Sequence, residues 1–330
     1  KEKQVVKNEK RQSYDNRPYG HNQYVIDKNL YHTNHPYNWQ VIGSLEDLQN
    51  ATLDDVKMFF KKWYVPNNAT LVLSGDFDIK QAIKWVHAYF DEIPRGNEIP
   101  VLDKRPGNIP ETKFLYYEDN FARVPQLTMV WPTVESYHPD SYALEVLTEY
   151  LSNGKSAPLN QVLVDDLKLT SNTSMGSYIS ELAGQTQLSV RAFDGVKLDL
   201  VKAGIEKAFA KFEAEGISDK DLNRIKASQE TNFYSSLSSV LGKGTRLASY
   251  NTYTGNPGFV TQDINNTLAV TKEDVLNVYK KYIKNKNYIA TSFVPKNKAD
   301  LALSNAVLAD VVEEKIVIGA EENFDSKIEA

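Results

Sequence analysis

The chain has 330 residues with a formal net charge of −5, and 41% of the residues are apolar. This length predicts two domains of about 100–200 residues each, and the composition excludes an intrinsically disordered chain. No apolar stretch approaches the roughly 18 residues of a membrane span, the mild acidity gives no basic surface for nucleic acid, and the absence of cysteine excludes disulfides and thiolate metal sites.

The first part of the chain shows two amphipathic helices and a short strand. Thr52 and Asp55 have the spacing of a capping box, and the apolar residues that follow at helical intervals predict a helix. The β-rich run 69–75 predicts a strand, and residues 79–90 place apolar side chains on one helical face. From about residue 91 to 110 the sequence is rich in proline and glycine, which predicts a linker and a domain boundary.

A second series of elements follows the linker. Its predicted strands lie at 114–117, 126–131, around 177–191 and at 287–294, and its predicted helices lie at 139–151, 198–212, 218–236 and 271–283. Beyond residue 295 the sequence becomes alanine-rich and then acidic, without turn signals, which favours an extended connector.

An internal repeat relates the two series. Residues 52–62 align without a gap with residues 271–281, and the capping pair and a Lys-Lys pair are identical at a constant offset of 219 residues. Chance similarity of two amphipathic helices explains the apolar positions better than it explains the shared cap and the strand that follows each helix. The repeat therefore predicts duplicated domains. Because the first copy begins so close to Lys1, we expect only the back part of the first domain here.

These patterns predict an α+β fold with two duplicated domains, each an antiparallel-leaning sheet with helices packed mainly on one face. The expected boundaries are 1–96 for the C-terminal part of the first domain, 97–111 for the linker, 112–296 for the second domain and 297–330 for the connector.

Two carboxylates near the start of the chain are candidate site residues. Glu2 and Glu9 are seven residues apart, which is close to two helical turns and places both side chains on one helical face. A solvated helix of mixed charge has the same pattern. The spacing alone therefore favours the solvated helix.

Other candidate motifs are weaker. His32 and His35 form a histidine pair, but Pro36 removes His35 from helical geometry and no third ligand is near in sequence. This favours a loop with hydrogen-bonded histidines. The serines of 152–156 lack a nucleophile elbow, and the glycines of 242–244 lack the spacing of a phosphate-binding loop.

Taken together, these residues resemble the pitrilysin/insulinase family of zinc metallopeptidases, which carry an inverted His-x-x-Glu-His motif. The resemblance covers about residues 1–296. It is carried by Glu2-x6-Glu9, His35-Pro-Tyr37, Ile42-Gly43-Ser-x-Glu46-x-Leu48, the run from Thr52 to Asp76 and the segment from Leu151 to Leu169.

The resemblance implies a zinc site. In this family two histidines of His-x-x-Glu-His and a later glutamate hold zinc, with an open position for water. Glu9 matches the third ligand, and Glu2 matches a supporting carboxylate. His-x-x-Glu-His occurs nowhere in the 330 residues, so the chain is expected to be an inactive fragment of a zinc metalloendopeptidase.

The resemblance also implies partners and shows a departure from the family. The family's second domain usually offers an arginine and a tyrosine to the substrate, whereas Val164 and Thr170 or Ser171 stand at those positions here. The implied partners are a peptide substrate and a second homologous half or subunit that closes a chamber. The alternative is a catalytically dead homologue that serves as a partner subunit or substrate-binding half. Bacterial members of the family are often periplasmic.

Overall fold

The computed structural model describes residues 2–312, with side chains from residue 3 onwards. The described residues form twelve helices and one six-stranded sheet. The helices are α1 (Glu2–Lys10), α2 (Asn22–Leu30), α3 (Leu45–Asn50), α4 (Leu53–Trp63), α5 (Ile79–Phe90), α6 (Pro139–Ser152), α7 (Pro158–Asn160), α8 (Leu198–Glu215), α9 (Asp219–Ser236), α10 (Val240–Thr254), α11 (Val260–Ala269) and α12 (Lys272–Tyr282). The strands are β1 (Lys113–Asp119), β2 (Gln126–Thr133), β3 (Thr170–Ile179), β4 (Gly184–Ala192), β5 (Ile289–Pro295) and β6 (Val307–Leu308).

The sheet is mixed and mostly antiparallel. Its strand order is β3-β4-β2-β5-β1-β6. The pairings β3–β4, β2–β4 and β2–β5 are antiparallel, whereas β1 runs parallel to β5 and β6. The central strands β2 and β5 are buried along nearly their whole length, because helices cover both of their faces. The predicted α+β class is confirmed.

Helices lie mainly on one face of the sheet, as predicted. The larger apolar cluster joins that face to α6, α8 and α12, with Leu147, Phe212 and Tyr279 among its buried side chains. On the opposite face α2 supplies Val25 and Ile26 to a smaller cluster. The residues that precede β1 thus supply a helix, α2, that covers the second face of the sheet.

The elements recur at the offset of 219 residues. The bounds of α12 are those of α4 shifted by this offset, and α2, α3 and α1 overlap the shifted positions of α10, α11 and α9. Both α4 and α12 begin with a complete capping box, formed by Thr52 with Asp55 and by Thr271 with Asp274. The recurrence supports the predicted duplication, although the described residues of the first copy contain no sheet of their own.

The predicted strand 69–75 is wrong for the described structure. Residues 69–74 form no ladder with any described strand and lie instead beside α10, where Asn251 Nδ2 donates to Thr70 Oγ1 at 3.0 Å. Its counterpart β5 is flanked by β1 and β2. A run with β propensity becomes a strand only when a neighbouring strand completes its backbone hydrogen bonds.

The predicted linker and connector are both tied to the sheet domain. Residues 97–111 contain no helix or strand, but Arg105 N donates to Leu182 O at 2.9 Å and Ile109 is buried. Residues 299–308 of the predicted connector contact the sheet domain. There Leu301 is buried and β6 pairs with β1, because apolar side chains of this segment complete the core. Residues 313–330 of the predicted connector lie outside the described residues.

A buried carboxylate on α2 predicts a pH-dependent stability. Burial raises the pKa of Asp27 to about 7, although a hydrogen bond from Gln23 Nε2 at 2.8 Å opposes the shift. The folded state therefore binds more protons than the unfolded state between about pH 4 and 7, and stability falls as pH rises through this window. Asp27→Asn should stabilise the chain by about 1–3 kcal/mol at pH 8 and by progressively less as pH falls toward 4.

Chemical denaturation at a series of pH values measures this effect. The matched control is Asp54→Asn on α4, since the Asp54 side chain is 87% exposed and its replacement should change stability little at any pH. Equal pH dependence of the Asp27→Asn variant and the unmodified chain would contradict the prediction.

Candidate functional site

The predicted metal ligand Glu9 lies on α1. Glu2 begins this helix, and Glu9 lies near its end with an exposed side chain. The helix continues into a π-helical turn at Arg11–Asp15, where Lys10 Nζ pairs with Asp15 at 3.1 Å. The structure therefore places Glu9 on a regular helix with its carboxylate directed to the surface of the described chain.

Glu9 is not part of a complete metal site in the described part of the chain. Residues 2–312 contain no group of three or more His, Cys, Asp or Glu side chains arranged to hold a metal ion. A zinc ion with an open coordination position needs three protein ligands. The residues present thus fit zinc only as the source of one ligand.

The histidine pair has a structural role. Tyr37 N donates to His35 Nδ1 at 3.0 Å, so Nε2 carries the ring proton and donates to Arg105 O at 2.9 Å. The His35 ring stacks on Tyr31, and burial lowers the pKa of His35. His32 is exposed beside Asn34. Both ring nitrogens of His35 are used, as expected for a loop with hydrogen-bonded histidines.

A polar groove in the sheet domain is lined by the residue that aligns with Glu9 at the repeat offset. Ser228, on α9, is the residue at an offset of 219 from Glu9, and Asp221 is likewise the counterpart of Glu2. Ser228 lines a groove of about 430 Å³ together with Thr148 and Ser152 from α6 and residues of β3. Thr148 and Ser152 are four residues apart and lie on one face of α6.

The groove is built for structure rather than metal binding. Ser152 Oγ accepts a hydrogen bond from Met175 N at 3.0 Å and lies 3.0 Å from Thr148 O, so it caps the outer edge of β3. Asn160 Oδ1 accepts from Thr173 N at 3.1 Å farther along the same edge. Hydroxyl and amide groups thus occupy positions where a zinc site needs imidazole or carboxylate groups.

The segment matched to the family's substrate-contacting pair also has structural contacts. Val164 lies in a π-helical turn, and Thr170 is buried with its Oγ1 donating to Arg191 O at 2.5 Å. Ser171 is exposed. The hydroxyl of Thr170 is therefore committed to the β3–β4 hairpin and is not presented to a substrate.

The sequence patterns did not indicate a buried polar cluster around Asp263. Asp263 on α11 accepts hydrogen bonds from Tyr142 OH at 2.9 Å and Tyr250 OH at 2.6 Å, and Arg246 Nη1 lies 3.8 Å from it. A cavity of about 480 Å³ lies beside these side chains. The cluster joins α6, α10 and α11, and its hydrogen bonds are all internal to the domain.

Among the described residues, no helix has the length and apolar character that crossing a membrane requires.

Comparisons with known proteins agree on a peptidase family. The zinc protease PqqE of Helicobacter pylori is 28% identical over 254 residues, which cover 76% of this chain and 56% of that protein. The chain spans a little over half the length of the curated relatives it matches.

Solved structures show the same fold. A crystal structure of a protease from Helicobacter pylori matches with a TM-score of 0.78 at 24% identity, covering 89% of this chain and 71% of that chain. The peptidase M16 inactive domain from Pseudomonas fluorescens matches with a TM-score of 0.76 at 17% identity, covering 89% and 70%.

The family profile described as "Peptidase M16 inactive domain" matches residues 50–229, which is more than half of the 330 residues. This match spans α4, the region before β1 and the sheet domain through most of α9. The chain therefore belongs to the peptidase M16 family.

Proposed function

We propose that this chain is part of a zinc metalloendopeptidase that hydrolyses peptides or unfolded polypeptides, and that Glu9 is one of its zinc ligands. The curated relatives are named zinc proteases, which supports a protease as the parent protein. Because the 330 residues contain no His-x-x-Glu-His, the proposal assigns the two histidine ligands and the general base to other residues of the parent.

The observation that carries the proposal is the groove around Ser228. Thr148 and Ser152 line this groove with Ser228, the counterpart of Glu9, and they are separated by four residues. The two histidines of His-x-x-Glu-His have the same separation. A first-domain helix equivalent to α6 would therefore direct both histidines toward Glu9.

The proposal assigns the zinc chemistry to the first copy alone. When bound, zinc lowers the pKa of a coordinated water toward about 7 and so prepares it for attack on a peptide carbonyl. Glu9 supplies one carboxylate ligand, and Glu2, seven residues earlier on α1, acts as the supporting carboxylate. The second copy has Ser228 and Asp221 at these positions and acts as the non-catalytic domain.

The domain assignment is part of the same proposal. Residues 1–96 form the C-terminal part of the first peptidase-like domain, and residues 112–296 form the second. The recurrence of α1, α2, α3 and α4 at an offset of 219 residues supports this assignment. The partners proposed for the parent are a peptide substrate and a second homologous half or subunit that closes a chamber around it.

The experiment compares Glu9→Gln with Ser228→Ala in the full-length parent protein. Glu9→Gln removes the charge of the ligand at nearly constant volume, so bound zinc and cleavage of an unstructured peptide should both fall to background. Ser228→Ala alters the corresponding position of the second copy and should retain both. Zinc is measured by elemental analysis after gel filtration, and circular dichroism checks that both variants fold.

The proposal fails if Glu9→Gln retains stoichiometric zinc and full cleavage. The 330-residue chain alone should neither retain zinc after gel filtration nor cleave the peptide, because it supplies a single ligand. Zinc-dependent cleavage by this chain alone would also overturn the proposal.

A further inference from the structure

We propose that the cavity between α6, α9, α10 and α11 binds a cationic group of the alkylguanidinium or alkylammonium class, with the carboxylate of Glu145 as its counter-ion. The cavity has a volume of about 480 Å³, which lies within the range of roughly 300–1,000 Å³ that is typical of ligand pockets. Every residue that lines it falls between positions 136 and 267, so the sheet domain alone builds this site. The inference requires neither zinc nor Glu9.

Glu145 supplies a negative charge to the cavity that no cation balances. It lies on α6 and lines the cavity, and among residues 3–312 no side chain pairs with its carboxylate. Although the side chain is exposed at the cavity, desolvation by the surrounding protein, followed by the like charges of Asp263 and Glu149, raises the pKa of Glu145 to about 7. Because each of these effects opposes the ionised carboxylate, a cation that binds beside it is favoured.

Arg246 lines the same cavity, but other groups already match its charge. Its Nη1 lies 3.8 Å from Asp263 Oδ2, and its Nη2 donates to Ser236 Oγ at 3.2 Å. Arg246 therefore balances Asp263 and leaves the charge of Glu145 for a ligand. The Arg246 guanidinium also lies 5.4 Å from the ring centre of Phe233, which shows that an aromatic face of this cavity accepts a guanidinium group.

The remaining wall suits the stem and the donors of such a ligand. Tyr142 and Tyr253 add aromatic surface, and Tyr253 is 46% exposed. Gln229 also lines the cavity, and its buried Oε1 has no hydrogen-bond partner among the described residues. A buried acceptor without a donor costs free energy. An ammonium or guanidinium group of the ligand can supply that donor.

The loop before α6 adds an independent sign of a ligand site. Tyr137 lies in this loop, lines the cavity and has a φ of 61°, in the left-handed region. Its ring centroid lies 5.8 Å from that of Tyr250 and 6.5 Å from that of Tyr253. Backbone strain at a residue other than glycine is found most often at functional sites, where packing maintains it.

Other ligand classes fit the cavity less well. A metal ion needs more ligands, since residues 2–312 contain no group of three or more His, Cys, Asp or Glu side chains that could hold one. An anion would meet the carboxylates of Glu145 and Asp263, while Arg246 is already paired. A cation with an apolar stem matches both the charge and the aromatic walls.

Calorimetric titration of the 330-residue chain with three probes tests the proposal. N-acetyl-arginine amide and agmatine carry a guanidinium group, and N-acetyl-citrulline amide has nearly the shape of the arginine probe without its charge. Both cations should bind saturably, and the citrulline probe should not. Glu145→Gln should weaken binding of the cations by about tenfold or more. Glu111→Gln makes the same charge change at an exposed position outside the cavity and should alter binding by less than about twofold.

An aromatic substitution tests the wall of the cavity. Tyr253→Ala should weaken binding of the cations by about twofold to fivefold, the effect of one exposed cation–π contact. Tyr178→Ala is the matched control, because Tyr178 is 56% exposed and lies outside the cavity.

The pH dependence of binding separates a counter-ion from a structural role. The charged groups that face Glu145 are Glu149 on the same helix, Arg246 on α10 and Asp263 on α11, whereas α9 contributes the neutral Gln229. The tyrosine hydroxyls stay protonated near neutral pH. Because a cation binds the ionised carboxylate, affinity should rise between about pH 6 and 8 in the unmodified chain. This rise should be absent in Glu145→Gln.

The two cationic probes also distinguish the source of the ligand. Tighter binding of agmatine assigns the cavity to free amines, and tighter binding of N-acetyl-arginine amide assigns it to a basic residue of a polypeptide. Equal binding of the arginine and citrulline probes, full affinity in Glu145→Gln, or no saturable binding of either cation would overturn the proposal. All titrations contain EDTA, so none of these results bears on the proposed zinc ligand Glu9.

Discussion

Asp263→Ala is expected to lower the free energy of unfolding of this chain by about 3–5 kcal/mol, the range found when one partner of a buried charged network is removed. Asp263 is only 9% exposed and accepts from Tyr142 OH and Tyr250 OH. Alanine leaves both hydroxyls buried without this acceptor, and it removes the carboxylate nearest to Arg246. Each unpaired buried group adds its own desolvation cost.

Urea denaturation of the 330-residue chain measures the loss. Tyr250→Phe is the matched control within the cluster, since it removes a single donor and should cost about 0.5–1.5 kcal/mol. Asp103→Ala controls for an exposed carboxylate and should change stability by less than about 0.5 kcal/mol. If Asp263→Ala costs no more than Tyr250→Phe, the carboxylate does not hold α6, α10 and α11 together.

The sequence was sufficient to predict most helices and strands of the sheet domain. Strands β1, β2 and β5 and helices α6, α8, α9 and α12 lie within a few residues of their predicted bounds. Their signals are local: period-3.6 apolar faces, period-2 runs and capping residues. The capping box at Thr271 is an example, because Thr271 and Asp274, only three residues apart, mark the start of α12.

Helix α10 was not predicted because its sequence opposes helix formation. Two glycines lie near the start of α10, and glycine disfavours a helix interior. Gly242 is required by packing, since a Cβ there would lie 1.9 Å from Ser236 O. Such a requirement arises from the turn between α9 and α10 and is invisible in residue propensities.

The candidate site was likewise predictable from the sequence only in part. The spacing of Glu2 and Glu9 is readable from sequence, and so is the absence of His-x-x-Glu-His. The groove at Ser228 could be recognised only in the structure, because its lining residues come from α6, α9 and β3. Asp263 gave no signal at all, since its partner Tyr142 is 121 residues away. Contacts of this separation follow from the topology of the sheet domain and not from any local pattern.

Two segments differ from their sequence patterns for one physical reason. Residues 69–74 have strand propensity but no neighbouring strand in the described chain, and residues 299–308 have weak propensity but an available sheet edge at β1. Strand formation depends on a partner more than on the residues themselves. Sequence patterns therefore indicated the strand whose partner is missing and overlooked the strand whose partner is present.

Phe293→Ala should lower the free energy of unfolding by about 3–5 kcal/mol, the usual cost of truncating a buried phenylalanine. Phe293 lies on the central strand β5, is 1% exposed, and has its ring centroid 5.3 Å from that of Tyr117. It belongs to the cluster through which Val25 and Ile26 of α2 cover the second face of the sheet. Truncation should therefore weaken the attachment of α2 as well as the sheet.

Amide hydrogen exchange separates these two consequences. In Phe293→Ala the amides of α2 should lose protection first, because polar contacts such as Thr291 Oγ1 with Asn22 Oδ1 at 2.6 Å then hold the helix with less apolar support. Phe293→Leu keeps most of the volume and should cost less than about 1.5 kcal/mol, and Phe193→Ala, at a 48% exposed site, should cost less still. Unchanged protection of α2 in Phe293→Ala would mean that its polar contacts, and not this apolar core, hold the helix against the sheet.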